Sequence, residues 1–225
     1  MSWVESESNR ANRNLLLTSV IFGAVSAVGL VDIVGLTKDQ WKESGANGMW
    51  VPLILLAAVL CLALWGIVKA LNRYRDVEKS PIWKCLAAYG QPPQLSSEIE
   101  QDLLAPPVKY KRIRLTQNWL IQRQFFSSYV SPIADIAWVY ELVTRRRVNG
   151  IPTGKTYSAV IYGKHKQKHT FQASRKKVDA FIAELNRRAP WAIFGFNEEL
   201  RTTWNKNHPA FVAAVDERRH KLGLK

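Results

Sequence analysis

Two apolar runs lie close to the start of the chain. One spans Leu15 to Leu36 (LLLTSVIFGAVSAVGLVDIVGL), and the other spans Met49 to Val68 (MWVPLILLAAVLCLALWGIV), with no charged residue in the second. A bilayer core of about 30 Å is crossed by roughly 20 apolar residues in a helix. A helix on the surface of a soluble domain shows a polar face, and neither run has one. The pattern predicts a transmembrane helical hairpin. The small residues Ser19, Gly23 and Ala27 recur at i, i+4 and i+8 in the first run, a stripe that lets helices approach closely. Its simplest partner is the second span, with another subunit or a second copy as the alternative. Asp32 lies near the outer end of the first run, within reach of interfacial water.

After the hairpin the period changes. Ile82, Trp83, Leu86, Ala87 and Tyr89 suggest a short amphipathic helix with Pro81 in its first turn, and Leu95 to Leu104 suggests another. Pro106-Pro107 marks a boundary. Strand patterns follow at Tyr110–Thr116, Asn118–Phe126, Ile136–Val143, Thr156–Tyr162 and Lys168–Gln172, with Arg145–Lys155 read as a loop. Ser174 to Ala189 is a helix, with Val178, Phe181, Ile182 and Leu185 forming its apolar stripe. Asn197 caps a further helix, and Pro209 to Leu222 forms a last one. Trp119, Trp138 and Trp191 are expected in the core. Strands grouped ahead of a helix indicate an α+β fold. The expected organisation is a cytoplasmic tail (1–14), the two-helix transmembrane hairpin (15–71), a juxtamembrane helical linker (72–105), a strand-rich domain (106–195) and a helical extension (196–225).

Charge sharpens this division. Of 32 basic and 18 acidic residues, 4 and 5 precede Lys69, so the remainder carries +15 and the N-terminal part −1. Lys69, Arg73, Arg75, Lys79 and Lys84 follow the second span directly. The positive-inside rule therefore places both termini in the cytoplasm of a multi-pass inner or plasma membrane protein. Three basic clusters stand out: Arg145-Arg146-Arg147, Lys164/Lys166/Lys168 and Arg175-Lys176-Lys177. A shared basic edge facing anionic head groups would gain about 1 kcal/mol per cation near the surface; a solvated face is the alternative. Nucleic acid is not expected, because the aromatics occupy core-like positions and are not interleaved with the charge.

The chain resembles a largely uncharacterised bacterial family of two-span membrane proteins with a cytoplasmic pleckstrin-homology-like (PH-like) domain. YRDVEKSPIWKCLAAYG (Tyr74–Gly90), the strands LTQNWLI and DIAWVYE between Leu115 and Glu141, and ELNRRAPWAIFGFNEELRTTW (Glu184–Trp204) carry the likeness. The resemblance implies a PH-like antiparallel β-barrel or sandwich capped by a C-terminal amphipathic helix, and brings no catalytic motif. PH domains that bind phosphoinositides use a basic first hairpin. The equivalent tip here, Thr116–Asn118, has no lysine or arginine.

Chemistry-bearing motifs are few. Asn149–Thr156 (NGIPTGKT) departs from the P-loop pattern only at its first position. A strand pattern follows it where the phosphate cradle needs a helix. His165 and His169 sit in a predicted hairpin and His208 and His220 elsewhere, without the further ligands that zinc needs, and they are expected to be solvated. Cys61 and Cys85 form no CxxC and are expected as unpaired thiols, Cys85 being near enough to the membrane for palmitoylation. No cofactor, metal site or catalytic activity is expected. The sequence points to a membrane-anchored, non-enzymatic interaction module that contacts anionic lipid or an unidentified protein partner. The alternative is an accessory or scaffold subunit of a larger membrane complex.

Overall fold

The computed structural model describes residues 2–34, 46–148 and 151–224. Residues 35–45 and 149–150 lie outside them. Two compact units form. One holds Met1–Ser96 with Gln124–Ser128, and the other holds Ser97–Arg123 with Tyr129–Lys225.

The first unit is helical. Helices α1 (Trp3–Val34) and α2 (Ala46–Arg75) are both long and apolar enough to cross a membrane. They run antiparallel, with Gly66 beside Ser19, Ala63 beside Gly23 and Leu56 beside Gly29. Helix α1 starts well before the apolar run. The first fourteen residues, expected as a tail, are helical from Trp3, and Val4, Glu7, Ala11 and Asn12 are buried. Glu7 is paired there with Arg10 at 3.0 Å, and Ser8 and Ala11 are small enough to pack inward. Tyr74 Oη donates to Asn9 O at 3.3 Å, which ties the outer turns of the two helices together. Helix α3 (Pro81–Ala87) is capped by Ser80, whose hydroxyl accepts from Trp83 N, and it buries Ile82 and Leu86.

Of the small-residue stripe, Ser19 is buried and Gly23 half-buried against α2, whereas Ala27 is exposed; Ser26, one residue earlier, is buried. A Cβ at Gly66 would collide with Ser19 Oγ. Gly66→Leu is therefore expected to destabilise the hairpin by about 1–3 kcal/mol. A lower thermal midpoint in detergent checks this, with Ala27→Leu on the open side leaving the midpoint unchanged.

The second unit is α+β. Helix α4 (Pro92–Leu104) crosses the division between units at Ser96 and carries Pro92 and Pro93 in its first turn. Strands β1 (Val108–Tyr110), β2 (Ile113–Leu115), β3 (Trp119–Arg123) and β4 (Ser128–Pro132) form one sheet in that order. The single strand expected over Tyr110–Thr116 is in fact a tight hairpin. Tyr110 pairs with Ile113, and Lys111 takes a left-handed φ of 50° at the turn. The second sheet is ordered β7-β6-β5-β8, from β5 (Ile136–Val148), β6 (Ile151–Gly163), β7 (Lys168–Ala173) and the two-residue β8 (Ile193–Phe194). Strand β8 runs parallel to its neighbour β5.

The sheets do not close into a barrel. Pro132, which has no N–H, and the 3-10 turn Ile133–Asp135 end β4 before it can join β5, and β8 takes part of the outer edge of β5 instead. Helix α5 (Arg175–Arg188) covers one face of the second sheet, burying Val178, Phe181 and Leu185. Ser174 occupies its N-cap without a side-chain cap bond. Helices α6 (Glu198–Lys206) and α7 (His208–Lys221) supply Trp204, Phe211 and Val215 to the same core; Asn197 Oδ1 caps α6 by accepting from Leu200 N at 2.6 Å. Trp119, Trp138 and Trp191 are all buried.

Candidate functional site

Of the expected loop Arg145–Lys155, residues 145–148 and 151–155 are strand. Glycine, proline and consecutive arginines look like loop composition, yet Arg145 pairs with Lys155, Arg146 with Gly154 and Arg147 with Pro152. The flanking strands stop short of this region: β7 ends where Ala173 meets Tyr157, and β8 where Phe194 meets Val139. Beyond Tyr157, β5 and β6 continue as a two-stranded ribbon. Its Leu142, Val143 and Ile151 are 44%, 43% and 67% exposed, so it stands clear of the core.

Strand alternation sorts the charges on this ribbon. Arg145 and Lys155 share the face that carries Val139 and Ile161 toward α5, and Arg146 takes the other; a register shift separates Arg146 from Arg147. Arg145 and Lys155 are directly opposite, a like-charge pair that is unfavourable without an anion between or beside them. Arg175, Lys176 and Lys177 start α5 just past Ala173, at the ribbon's base, and all three are exposed, with Arg175 3.9 Å from Asp179.

The third cluster lies elsewhere. Lys164, Lys166 and Lys168 sit at the other end of β6. Gly154 to Lys164 is ten residues of extended chain, on the order of 30 Å. Close spacing in sequence suggested a shared edge with Arg175-Lys176-Lys177, but β7 carries the chain back across the whole sheet between them. These lysines also have internal uses. Lys164 Nζ lies 2.5 Å from Asp216 Oδ1, Lys168 Nζ sits 5.7 Å from the Tyr162 ring centroid, and Lys166 takes a left-handed turn conformation at φ 64°.

A second feature went unnoticed in the sequence. Trp138, Tyr140, Tyr162, Phe196 and Trp204 line a cavity of about 560 Å³, with Arg201 among its lining residues. Ring centroids are 4.7 Å apart for Trp138–Tyr140 and 5.1 Å for both Tyr140–Phe196 and Tyr162–Trp204. Burial, and then the neighbouring Tyr162, push the Tyr140 hydroxyl up to about 12. The alternation Trp138/Tyr140 was visible; the far wall comes from α6 and the turn after Gly195, which only tertiary structure brings in.

The histidines separate. His165 is exposed, with Nε2 3.7 Å from Asp135 Oδ1. His169, expected in solvent, is buried. It alternates with Phe171 on β7, so both point into the core. Its Nδ1 is 2.9 Å from Gln122 Oε1 and its Nε2 2.7 Å from Ser131 Oγ. The amide oxygen can only accept, so Nδ1 carries the proton and Nε2 accepts from the serine. Gln122 Nε2 donates to Thr170 O at 3.0 Å. Burial lowers the His169 pKa to about 4. A serine, a histidine and an orienting group form the pattern of nucleophilic catalysis, but Ser131 is 2% exposed and none of the three lines the aromatic cavity.

Among the described residues, no group of three or more His, Cys, Asp or Glu could hold a metal ion. Among the described residues, neither Cys61 nor Cys85 is in a disulfide.

A family model described as "Domain of unknown function (DUF6709)" matches residues 78–204, more than half of the chain. The chain belongs to this family. The DUF6709 region starts after the two apolar helices and ends in α6. It contains both sheets, all three basic clusters and the five aromatic rings that line the cavity. No curated protein and no solved structure matches the chain significantly.

Proposed function

We propose that this DUF6709 protein is a membrane-anchored, non-enzymatic interaction module whose basic, PH-like cytoplasmic domain contacts anionic lipid head groups. The anchor reading rests on the outer surfaces of α1 and α2. Val25, Val31, Ile54 and Leu62 are each more than 60% exposed, and each 18-residue apolar window is 11% buried. Water would make such a surface costly at about 25 cal/mol per Å²; acyl chains would cover it. Two sheets followed by the capping helix α5 support the PH-like reading, and the positive-inside charge after α2 supports a cytoplasmic location for both termini.

The observation that carries the lipid reading is the basic ribbon. Arg145 and Lys155 stand directly opposite each other and face the side where Arg175, Lys176 and Lys177 begin α5. The Lys164/Lys166/Lys168 cluster, with two of its charges used internally, is not part of this surface.

Hydrogen exchange of residues 141–148 and 151–157 tests the proposal in full-length protein reconstituted into neutral or phosphatidylglycerol-containing nanodiscs. Anionic lipid is expected to slow exchange along the ribbon. Added salt and the triple variant Arg145→Gln/Arg146→Gln/Arg147→Gln should both abolish that slowing, since each cation contributes about 1 kcal/mol near the surface. Equal exchange in the two lipids at low salt would sink it.

A second reading, docking of a protein partner, is favoured by one feature. Past Val139 the edge of β5 has left β8, and the aromatic cavity opens beside Leu142 and Val143. An extended segment could add to this edge with a side chain in the cavity. Ribbon protection by a partner, independent of lipid charge, would favour it.

A further inference from the structure

We propose that Phe125 and Phe126 form a third membrane anchor, inserted at the interface of the leaflet next to the hairpin's open end; the proposal rests on the membrane-anchor reading above. Both rings are exposed, at 51% and 40%, and they meet edge to face with centroids 4.8 Å apart. Adjacent exposed aromatics on a short loop are costly in water and favourable at the headgroup boundary.

Their position is fixed by helix α1. Residues Gln124–Ser128 belong to the same compact unit as the two long helices. Asn14 Nδ2 donates to Phe125 O at 2.9 Å. One turn earlier, the Arg10 guanidinium reaches Gln124 O and donates to Ser128 Oγ at 3.0 Å, and Ser128 Oγ donates to the buried Glu7 carboxylate at 3.1 Å. The Glu7–Arg10 ion pair at 3.0 Å completes this clamp. The loop is thus held by four side chain–backbone or side chain–side chain contacts and is not a free excursion.

Asn14 is the residue immediately before the apolar run. Leu17, the first large exposed apolar side chain of α1, is only about 4.5 Å further along the axis. On α2 the same level falls near Leu71, judged from the pairs Ser19–Gly66 and Asn9–Tyr74. That level carries interface-type residues. Tyr74 is 39% exposed, and Lys69 Nζ lies 4.1 Å over the Trp65 ring. Phe125 and Phe126 extend this belt sideways from the helix pair. Two phenylalanines inserted a few ångströms into the headgroup region would add apolar attachment that does not depend on lipid charge.

The test uses the full-length chain with Cys61→Ala and Cys85→Ser, reconstituted into phosphatidylcholine vesicles. A single cysteine replaces Phe125, or Phe126 in a second variant so that neither substitution alone decides the result, and carries an environment-sensitive nitrobenzoxadiazole label. Val25→Cys, labelled in the same way, reports on the span. Quenching is read from lipids spin-labelled either high on the acyl chain or near its end. The loop labels are expected to emit to the blue of their value in water and to be quenched most by the shallow spin label. The Val25 label should be quenched most by the deep one. A quenched Val25 label with water-like, unquenched loop labels overturns the third anchor and leaves the hairpin reading intact. Blue-shifted but unquenched loop labels mean burial against protein and overturn it as well. If the Val25 label too is unquenched, the membrane-anchor reading falls with it.

Discussion

Trp138→Ala is expected to lower the stability of the strand-rich unit by about 3–5 kcal/mol, near the upper end for a single core truncation. Trp138 is 2% exposed and sits at the centre of the aromatic cluster, with ring contacts to Tyr140, Tyr162, Phe196, Trp204 and Phe211. These partners come from β5, β6, the turn after β8, α6 and α7, so one indole joins five chain segments. Removing it leaves a cavity too deep within paired strands to collapse. It also leaves Gly195 O without the 2.7 Å hydrogen bond from the indole Nε1. That bond helps position the turn, at φ 100° on Gly195, that delivers Phe196 to the cavity wall. Denaturant unfolding of the full chain in detergent, followed by near-ultraviolet circular dichroism, measures the loss. Trp138→Phe, which keeps a ring but not the donor, should fall between the alanine variant and the parent. A cost below 1 kcal/mol for the alanine variant would show that the aromatic layer does not hold α6 and α7 to the sheet.

How much of this was legible in the sequence depended on the range of the interactions involved. The two apolar helices were plain, because twenty consecutive lipid-compatible residues carry their own signal. The helical start of α1 was hidden: Ser8, Ala11 and Asn12 are buried by close packing, and their composition looks solvated. Helix α5 was legible from its stripe, since Val178, Phe181 and Leu185 are local in sequence and reach one sheet face together. The β5–β6 ribbon was misread because Arg145–Arg147, Pro152 and Gly154 have turn and surface chemistry. Strand direction then decided the basic clusters. Lys168 and Arg175 are seven positions apart, but β7 puts them at opposite ends of a sheet. The aromatic cavity was not legible at all beyond Trp138 and Tyr140, because Phe196 and Trp204 reach it through a short parallel strand that carries no periodic signal. The Phe125-Phe126 pair read as the end of a strand; the Ser127-Ser128 step after it was the available hint of a turn.

Stability is expected to fall as pH drops from about 6.5 to about 4, and His169 is the main cause. Burial holds its folded-state pKa near 4, against 6.5 for an unhindered histidine. In that window the unfolded chain binds a proton at this position and the folded chain does not, so acid favours unfolding. The slope approaches 1.4 kcal/mol per pH unit, and the total loss is roughly 3 kcal/mol by pH 4, below which both states are protonated. No charged side chain in the network meets the imidazolium: its partners are Gln122 Oε1 and Ser131 Oγ, one fixed as an acceptor and the other neutral. His208, whose pKa is lowered by burial and then by Lys166 and His165, acts in the same direction. Glu184 enters only at the acid edge of this window: its hydrogen bond from Arg187, reinforced by Arg188, holds it near 2, so its contribution is full above about 4.5 and declines from there as pH falls toward 2. Unfolding midpoints measured at a series of pH values between 4 and 7 would show the slope. His169→Asn, which keeps a short polar group but cannot take up a proton, should be less stable at pH 7 and nearly flat across the window, apart from the smaller His208 effect. An unchanged slope in that variant would mean that another group binds the proton and that His169 stays solvated enough to titrate normally.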